Sequence, residues 1–232
     1  MPLPTVILPG YLESAIAYRS LEQSLQNLGF PTVTVPLRRR DWLPTLGGRP
    51  VTPILWQLDR TVKQMLQQHN VSQINLIGHS AGGWISRIYI GEKPYFAKRR
   101  DLKPSLWGAS SLVATLVTLG TPHISQERWT RWNLDFVTNN YPGAFYKNVH
   151  YVCVAGKTIF GERRRGSWLA YSSYQLTCGK GDTWGDGITP IEAAHLEGAE
   201  NIVIEGVKHS PRSQGIWYGS PEALKVWVEC LV

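Results

Sequence analysis

Short apolar runs alternate with stretches of helical periodicity along most of the chain, and this alternation restricts the fold more than any other feature. Residues 5–8 (Thr-Val-Ile-Leu) end at Pro9-Gly10, and residues 32–35, 74–77, 112–119, 149–155 and 201–204 repeat the pattern. Between them, Ile16, Leu21, Leu25 and Leu28 recur at helical spacing behind Ser14, and Gly29 stops the pattern. Thr52-Pro53 supplies a capping residue and a proline at the first helical position, for a helix that turns Leu58, Val62, Met65 and Leu66 inward. Residues 84–89 and 221–231 read as further helices, the second with Leu224, Trp227, Val228 and Leu231 on one face. Strands apolar on both faces must be covered on both, which is the signature of parallel sheets rather than of meanders with one wet face. The expected fold is α/β, a mostly parallel sheet of about six strands with helices on both faces.

At 232 residues the chain is expected to form a single domain, 1–232, with room for inserted loops. Four stretches break the alternation: 38–52, 92–110, 124–148 and 157–185. They hold six of the ten tryptophans (Trp42, Trp107, Trp129, Trp132, Trp168, Trp184) and three basic clusters, Arg38-Arg39-Arg40, Lys98-Arg99-Arg100 and Arg163-Arg164-Arg165. The last three stretches are read as cap or lid insertions, where substrate selection is expected.

Composition narrows the function classes. A hydrophobic share of 43% excludes disordered and fibrous chains. The 24 Lys and Arg against 17 Asp and Glu give +7, which favours anionic surfaces. The basic runs lie in separate loops without a nucleic-acid motif, so no nucleic acid is expected as partner; peripheral association with an anionic membrane surface is. Cys153, Cys178 and Cys230 have neither an even count nor CxxC spacing, so no disulfide framework and no metal site is expected. Met1-Pro2-Leu3-Pro4 lacks a basic start, and no apolar run approaches ~20 residues, so the chain is read as soluble and cytoplasmic.

The strongest motif is Gly78-His79-Ser80-Ala81-Gly82-Gly83, directly after the run 74–77 and before the helix 84–89. This is G-x-S-x-G in the strand–turn–helix context that a nucleophile elbow needs. The serine sits on a sharp turn, so residues two before and two after must lack bulk, and the helix N-terminus favours a developing oxyanion. A P-loop is excluded by the missing Lys-Ser/Thr ending.

Such a serine needs a base and an orienting acid, in chain order Ser, Asp or Glu, His. His209 follows the last strand in a Gly-containing loop, whereas His69, His123, His150 and His195 lie in positions that do not suit a base. His79 lies inside the elbow, with its ring expected to point away from the site. Asp182 and Asp186 both qualify as the acid; Asp186, in the turn Gly185-Asp186-Gly187, is preferred, although Asp beside Gly also serves simply to make turns. Oxyanion donors are expected from the amides of Ala81, after the nucleophile, and Tyr11, after the first strand; Pro9-Gly10-Tyr11 reads equally well as a plain turn.

These residues together resemble the α/β-hydrolase lipases, especially small bacterial triacylglycerol lipases and the related class 2 lipases, lecithin–cholesterol acyltransferases and lipid-anchor inositol deacylases. Val6-Ile7-Leu8-Pro9-Gly10-Tyr11 is similar to V-x-V-H-G-x, with Pro9 where histidine usually stands. Gly78 to Gly83 matches [GA]-H-S-x-G-G, and Val117-Thr118-Leu119-Gly120-Thr121-Pro122-His123 resembles a strand ending T-L-G-T-P-H. The resemblance implies the α/β-hydrolase fold with loop or cap insertions, Asp186 as acid over Asp182, His209 as base, and Tyr11 and Ala81 as oxyanion donors. It covers the core and not the four interrupting stretches.

The expected chemistry is carboxylic ester hydrolysis through Ser80, His209 and Asp186 and an acyl-enzyme, with no cofactor and no metal. Trp129, Trp132, Phe136 and His123 are candidate substrate contacts, the first three in an aromatic and basic segment read as a lid. An acyl lipid is the first substrate reading. A soluble short-chain carboxylesterase or thioesterase, an acyltransferase, and a non-catalytic binding member of the fold are the alternatives.

Overall fold

The computed structural model describes residues 2–95 and 105–232, without the side chains of Arg128 and Trp129. The cluster Lys98-Arg99-Arg100, the middle of the 92–110 insertion and the candidate side chain of Trp129 lie outside the described residues. In chain order the elements are β1 (Thr5–Leu8), α1 (Arg19–Asn27), β2 (Thr32–Thr34), α2 (Thr52–His69), β3 (Ile74–His79), α3 (Ala81–Ile90), β4 (Val113–Leu119), α4 (Arg128–Asn140), β5 (His150–Lys157), β6 (Ile159–Phe160), α5 (Trp168–Cys178), β7 (Trp184–Gly185), α6 (Ile191–Ala194), β8 (Glu200–Glu205) and α7 (Pro221–Trp227).

Six strands form one sheet in the order β2-β1-β3-β4-β5-β8, every pair parallel. Successive side chains of a strand point to opposite faces. Val6 and Leu8 accordingly join one core, with Leu58 and Val62 of α2, Ile85 and Ile88 of α3, and Leu134 and Val137 of α4. Ile7 points the other way, into a second core with Leu21 and Leu25 of α1 and Leu224 and Trp227 of α7. Burial on both faces explains why these strands read as continuous apolar runs. Every residue of α3 is buried, which fixes the turn before it against the sheet.

The secondary structure differs from the sequence reading at several points. Thr52 is the first helical residue of α2 and Val51 its cap, one residue earlier than expected. Residues Arg39–Thr45, within the first interrupting stretch, form a 3-10 helix whose Trp42 is fully buried and donates its indole N–H to the Glu13 carbonyl at 2.9 Å. Residues 124–148 contain the helix α4, although Thr130, Asn133, Thr138, Asn139 and Asn140 are weak helix formers. Its Leu134, Val137 and Tyr141 recur at helical spacing and are buried, so tertiary packing overrides propensity. Residues 157–185 hold the antiparallel pair β6–β7 and the helix α5. Among the described residues no helix is long and apolar enough to cross a membrane.

Candidate active site

Ser80 stands between β3 and α3 with φ 51° and ψ −122°, a conformation non-glycine residues rarely adopt. Strain of this kind costs about 1–3 kcal/mol and persists only where the surroundings impose it. Here the Ser80 amide donates to the Leu119 carbonyl at 2.8 Å, and the Gly83 amide donates to the Ser80 carbonyl at 3.1 Å. The flanking glycines have a steric cause: a Cβ at Gly78 would lie 2.5 Å from the Gly83 Cα, and one at Gly82 would collide with the Leu8 carbonyl oxygen.

The hydroxyl so presented lies 3.0 Å from Nε2 of His209, whose Nδ1 lies 2.7 Å from Oδ2 of Asp186. Of the two candidate aspartates it is Asp186 that meets His209; Asp182 is exposed in the preceding loop. Oδ1 of Asp186 accepts the amides of Ile188 (2.9 Å) and Thr189 (2.7 Å), an aspartate turn that aims the carboxylate. Burial pushes the Asp186 carboxyl up, but the His209 charge and the hydrogen bonds from His209, Tyr218 and Thr189 together hold it below its ordinary value.

Tyr218 carries no sequence signal and is part of this site. Its buried hydroxyl donates to Oδ2 of Asp186 at 2.6 Å and accepts the Gly156 amide at 2.9 Å. Burial, and then the adjacent carboxylate, raise its pKa well above the ordinary tyrosine value, so it stays protonated and serves as a donor.

His79 also departs from expectation. Its ring does not point away from the site but packs 4.9 Å, centroid to centroid, from that of His209. Its Nε2 lies 2.9 Å from the His209 carbonyl, which only accepts, so Nε2 carries the proton. Burial foremost, then the His209 charge, lower its pKa to about 3, so the ring is neutral and Nδ1 accepts. The Tyr18 hydroxyl 2.7 Å away therefore donates to it, and accepts in turn from the Gly10 amide at 2.9 Å. One directional chain thus ties the loop after β1 to the backbone of His209.

His123 lies in a similar buried position and not at the cleft. Arg87, a guanidinium that only donates, meets its Nδ1 at 3.3 Å, and its Nε2 faces the Thr118 hydroxyl at 3.3 Å. Arg87 also donates to the carbonyls of Tyr141 (2.5 Å) and Gly143 (3.2 Å). Burial first, then the Arg87 charge, hold His123 well below its ordinary pKa. Both imidazoles are neutral when folded and take up a proton when unfolded, so their stabilisation is complete above the unfolded pKa near 6.5 and is lost as pH falls below it, toward about 3 for His79. Each should cost about 1.4 kcal/mol per pH unit below ~6. A fall in Tm between pH 6.5 and 5, before carboxylates titrate, is the expected result; His79→Gln and His123→Gln should each flatten it, and a flat wild-type profile would contradict the neutral assignment.

In open parallel sheets, clefts form beyond the carboxyl ends of the strands. Such a cleft of about 390 Å3 opens beside Ser80. Its lining includes the apolar Tyr11, Leu46, Val51, Ala81, Trp84 and Leu134 and the polar Ser125, Glu127, Thr130, Ser173 and Thr177. Among the described residues, the amides of Tyr11 and Ala81 donate to no protein group. Trp132 and Phe136 are not among the cleft's lining residues. Their rings pack on Tyr95 at 5.7 and 5.2 Å, because both belong to the part of α4 that covers the core.

The parallel sheet, the elbow after β3 and the residues gathered at the strand ends define a protein of the α/β-hydrolase fold. Est1E from Butyrivibrio proteoclasticus has a similar structure, with a TM-score of 0.53 and 12% identity over 99% of this chain and 87% of that one. The product of gene lin2722 from Listeria innocua matches with a TM-score of 0.51 and 12% identity over 98% of this chain and 93% of its own. An esterase from Exiguobacterium antarcticum matches at 17% identity and a TM-score of 0.34 over 54% of this chain, which spans 41% of that esterase. No protein-family model matches the sequence, and no curated protein sequence matches it significantly.

Proposed function

We propose that this protein is a serine hydrolase that cleaves carboxylic esters, with an acyl lipid as its substrate class. The observation that carries the reading is the continuous contact from Ser80 Oγ through the His209 ring to Asp186. His209 takes the proton of Ser80 as the hydroxyl attacks the ester carbonyl, and returns it to the departing alcohol. Asp186 keeps the His209 proton on Nδ1, leaving Nε2 to act as base. The Tyr11 and Ala81 amides receive the oxyanion, each such donor being worth about 3–4 kcal/mol of barrier. Water then attacks the acyl-Ser80 ester by the same route.

The apolar residues lining the cleft suit the acyl group. The cleft's 390 Å3 is near the lower end of ligand sites, roughly 300–1,000 Å3, and the rings of Trp132 and Phe136 pack on Tyr95 instead of lining it. Those two observations favour a second reading, a carboxylesterase for short acyl chains. Hydrolysis of an ester series from acetyl to octadecanoyl, with Ser80→Ala as the blank, separates them. Turnover rising with chain length is expected; turnover confined to the shortest esters supports the second reading, and no Ser80-dependent turnover refutes both.

A further inference from the structure

Helix α5 is covered on one side, where Ala170 and Tyr174 are buried, and of its four exposed residues, Trp168, Leu169, Gln175 and Leu176, three are apolar. Leu169 is 76% exposed, Trp168 57% and Leu176 56%. Leu169 and Leu176 are two turns apart and so share a stripe. Ser173, between them, lines the cleft and donates to the Ile188 carbonyl at 2.6 Å, and Ile188, half exposed, stands at the cleft's lip. The 11 residues of α5 include no charged side chain, whereas a helix facing water ordinarily carries charge on its outer side.

The segment before the helix has the opposite character. Arg163, Arg164 and Arg165 are exposed. Residues 161–180 hold four cationic side chains (these three and Lys180) against one anionic, Glu162. Glu162 pairs with Arg164, and the Arg163 guanidinium lies 4.9 Å from the centre of the Tyr171 ring. A helix N-terminus already carries partial positive charge, so three cations beside it are unfavourable within the chain and attract an external anion.

We infer that α5 and the arginine run before it dock on an anionic lipid bilayer, at the mouth of the cleft; this rests on the acyl-lipid reading above. Tryptophan and leucine enter the boundary between headgroups and chains, while arginines meet the headgroup charge. A second copy of this chain is a poorer occupant, because it would set arginine runs of like charge against each other. The aromatic segment 124–148, read from the sequence as a lid, places Trp132 and Phe136 against the core.

The test uses the full chain carrying Ser80→Ala, which leaves vesicles undigested, and sedimentation with phosphatidylcholine vesicles, alone or mixed with phosphatidylglycerol. Binding to the mixed vesicles, weakened by salt, is expected. Replacing the three arginines by alanine should weaken it roughly 100-fold. Leu169→Glu and Leu176→Glu should each reduce it at least tenfold, with thermal midpoints unchanged because both sites are exposed. Equal binding to both vesicle types, or binding unaffected by these variants, overturns the docking surface, as does a dimer in solution that Leu169→Glu dissociates. A soluble short-chain ester, assayed with the chain retaining Ser80, keeps the two readings apart. Turnover without vesicle binding defeats the docking surface alone, and vesicle binding without any Ser80-dependent turnover defeats the hydrolase reading alone.

Discussion

Ser80→Ala is expected to lower kcat on esters by about 10⁶-fold, and His209→Ala by a similar factor, because the nucleophile and its base act as one unit. The Ser80 hydroxyl accepts no structural load: its only side-chain partner among the described residues is His209 at 3.0 Å. Alanine should therefore leave the fold and its Tm nearly unchanged. The double variant should be no worse than either single one, since removing the base matters little once the nucleophile is gone. Steady-state kinetics checks this directly; a residual rate within tenfold of wild type, or additive losses in the double variant, would assign the nucleophile elsewhere.

Asp186→Asn is expected to cost about 10⁴-fold in kcat, the effect of a base left in the wrong tautomer. An amide at this position can present N–H to Nδ1 of His209, which places the imidazole proton on Nε2, the atom that must accept from Ser80. Asp182→Asn should leave kcat unchanged, because that side chain is exposed in the preceding loop. The same assay on Tyr218→Phe should give a loss between these two, since the variant keeps the carboxylate but removes its 2.6 Å donor. That substitution also leaves the buried Gly156 amide without its acceptor, at about 1–3 kcal/mol of stability. If Asp182→Asn proved the more damaging of the two aspartate variants, the acid assignment would be reversed.

The sheet was legible because its physics is local. Strands buried on both faces must be apolar throughout, and Val6, Ile7 and Leu8 divide between two cores as that requires. The elbow was legible for a related reason: Gly78 and Gly82 are the residues that a close backbone approach demands, so the spacing around Ser80 carries the geometry. His209 could be placed by chain order, because strand succession dictates which loops reach the same end of the sheet; that order left Asp182 beside Asp186, and the resemblance to the lipases favoured Asp186.

Other features had no local signature. Trp132 and Phe136 suggested a lid, and only the packing of α4 on the core shows that their rings face Tyr95. His123 looked equally like a substrate contact until Arg87, 36 positions earlier in the chain, was found against its ring. Tyr218 and His79 hold Asp186 and His209 through hydrogen bonds that span 32 and 130 positions.

The sequence by itself determined the parallel sheet and the strained turn at Ser80, because periodicity and glycine spacing act over a few residues. The tertiary structure alone decided which side chains support Ser80, His209 and Asp186, which aromatic rings are core, and which helix offers an apolar face beside the cleft. Those outcomes depend on contacts between distant segments, and a side chain's chemistry is the same whether it faces the core, the cleft or solvent.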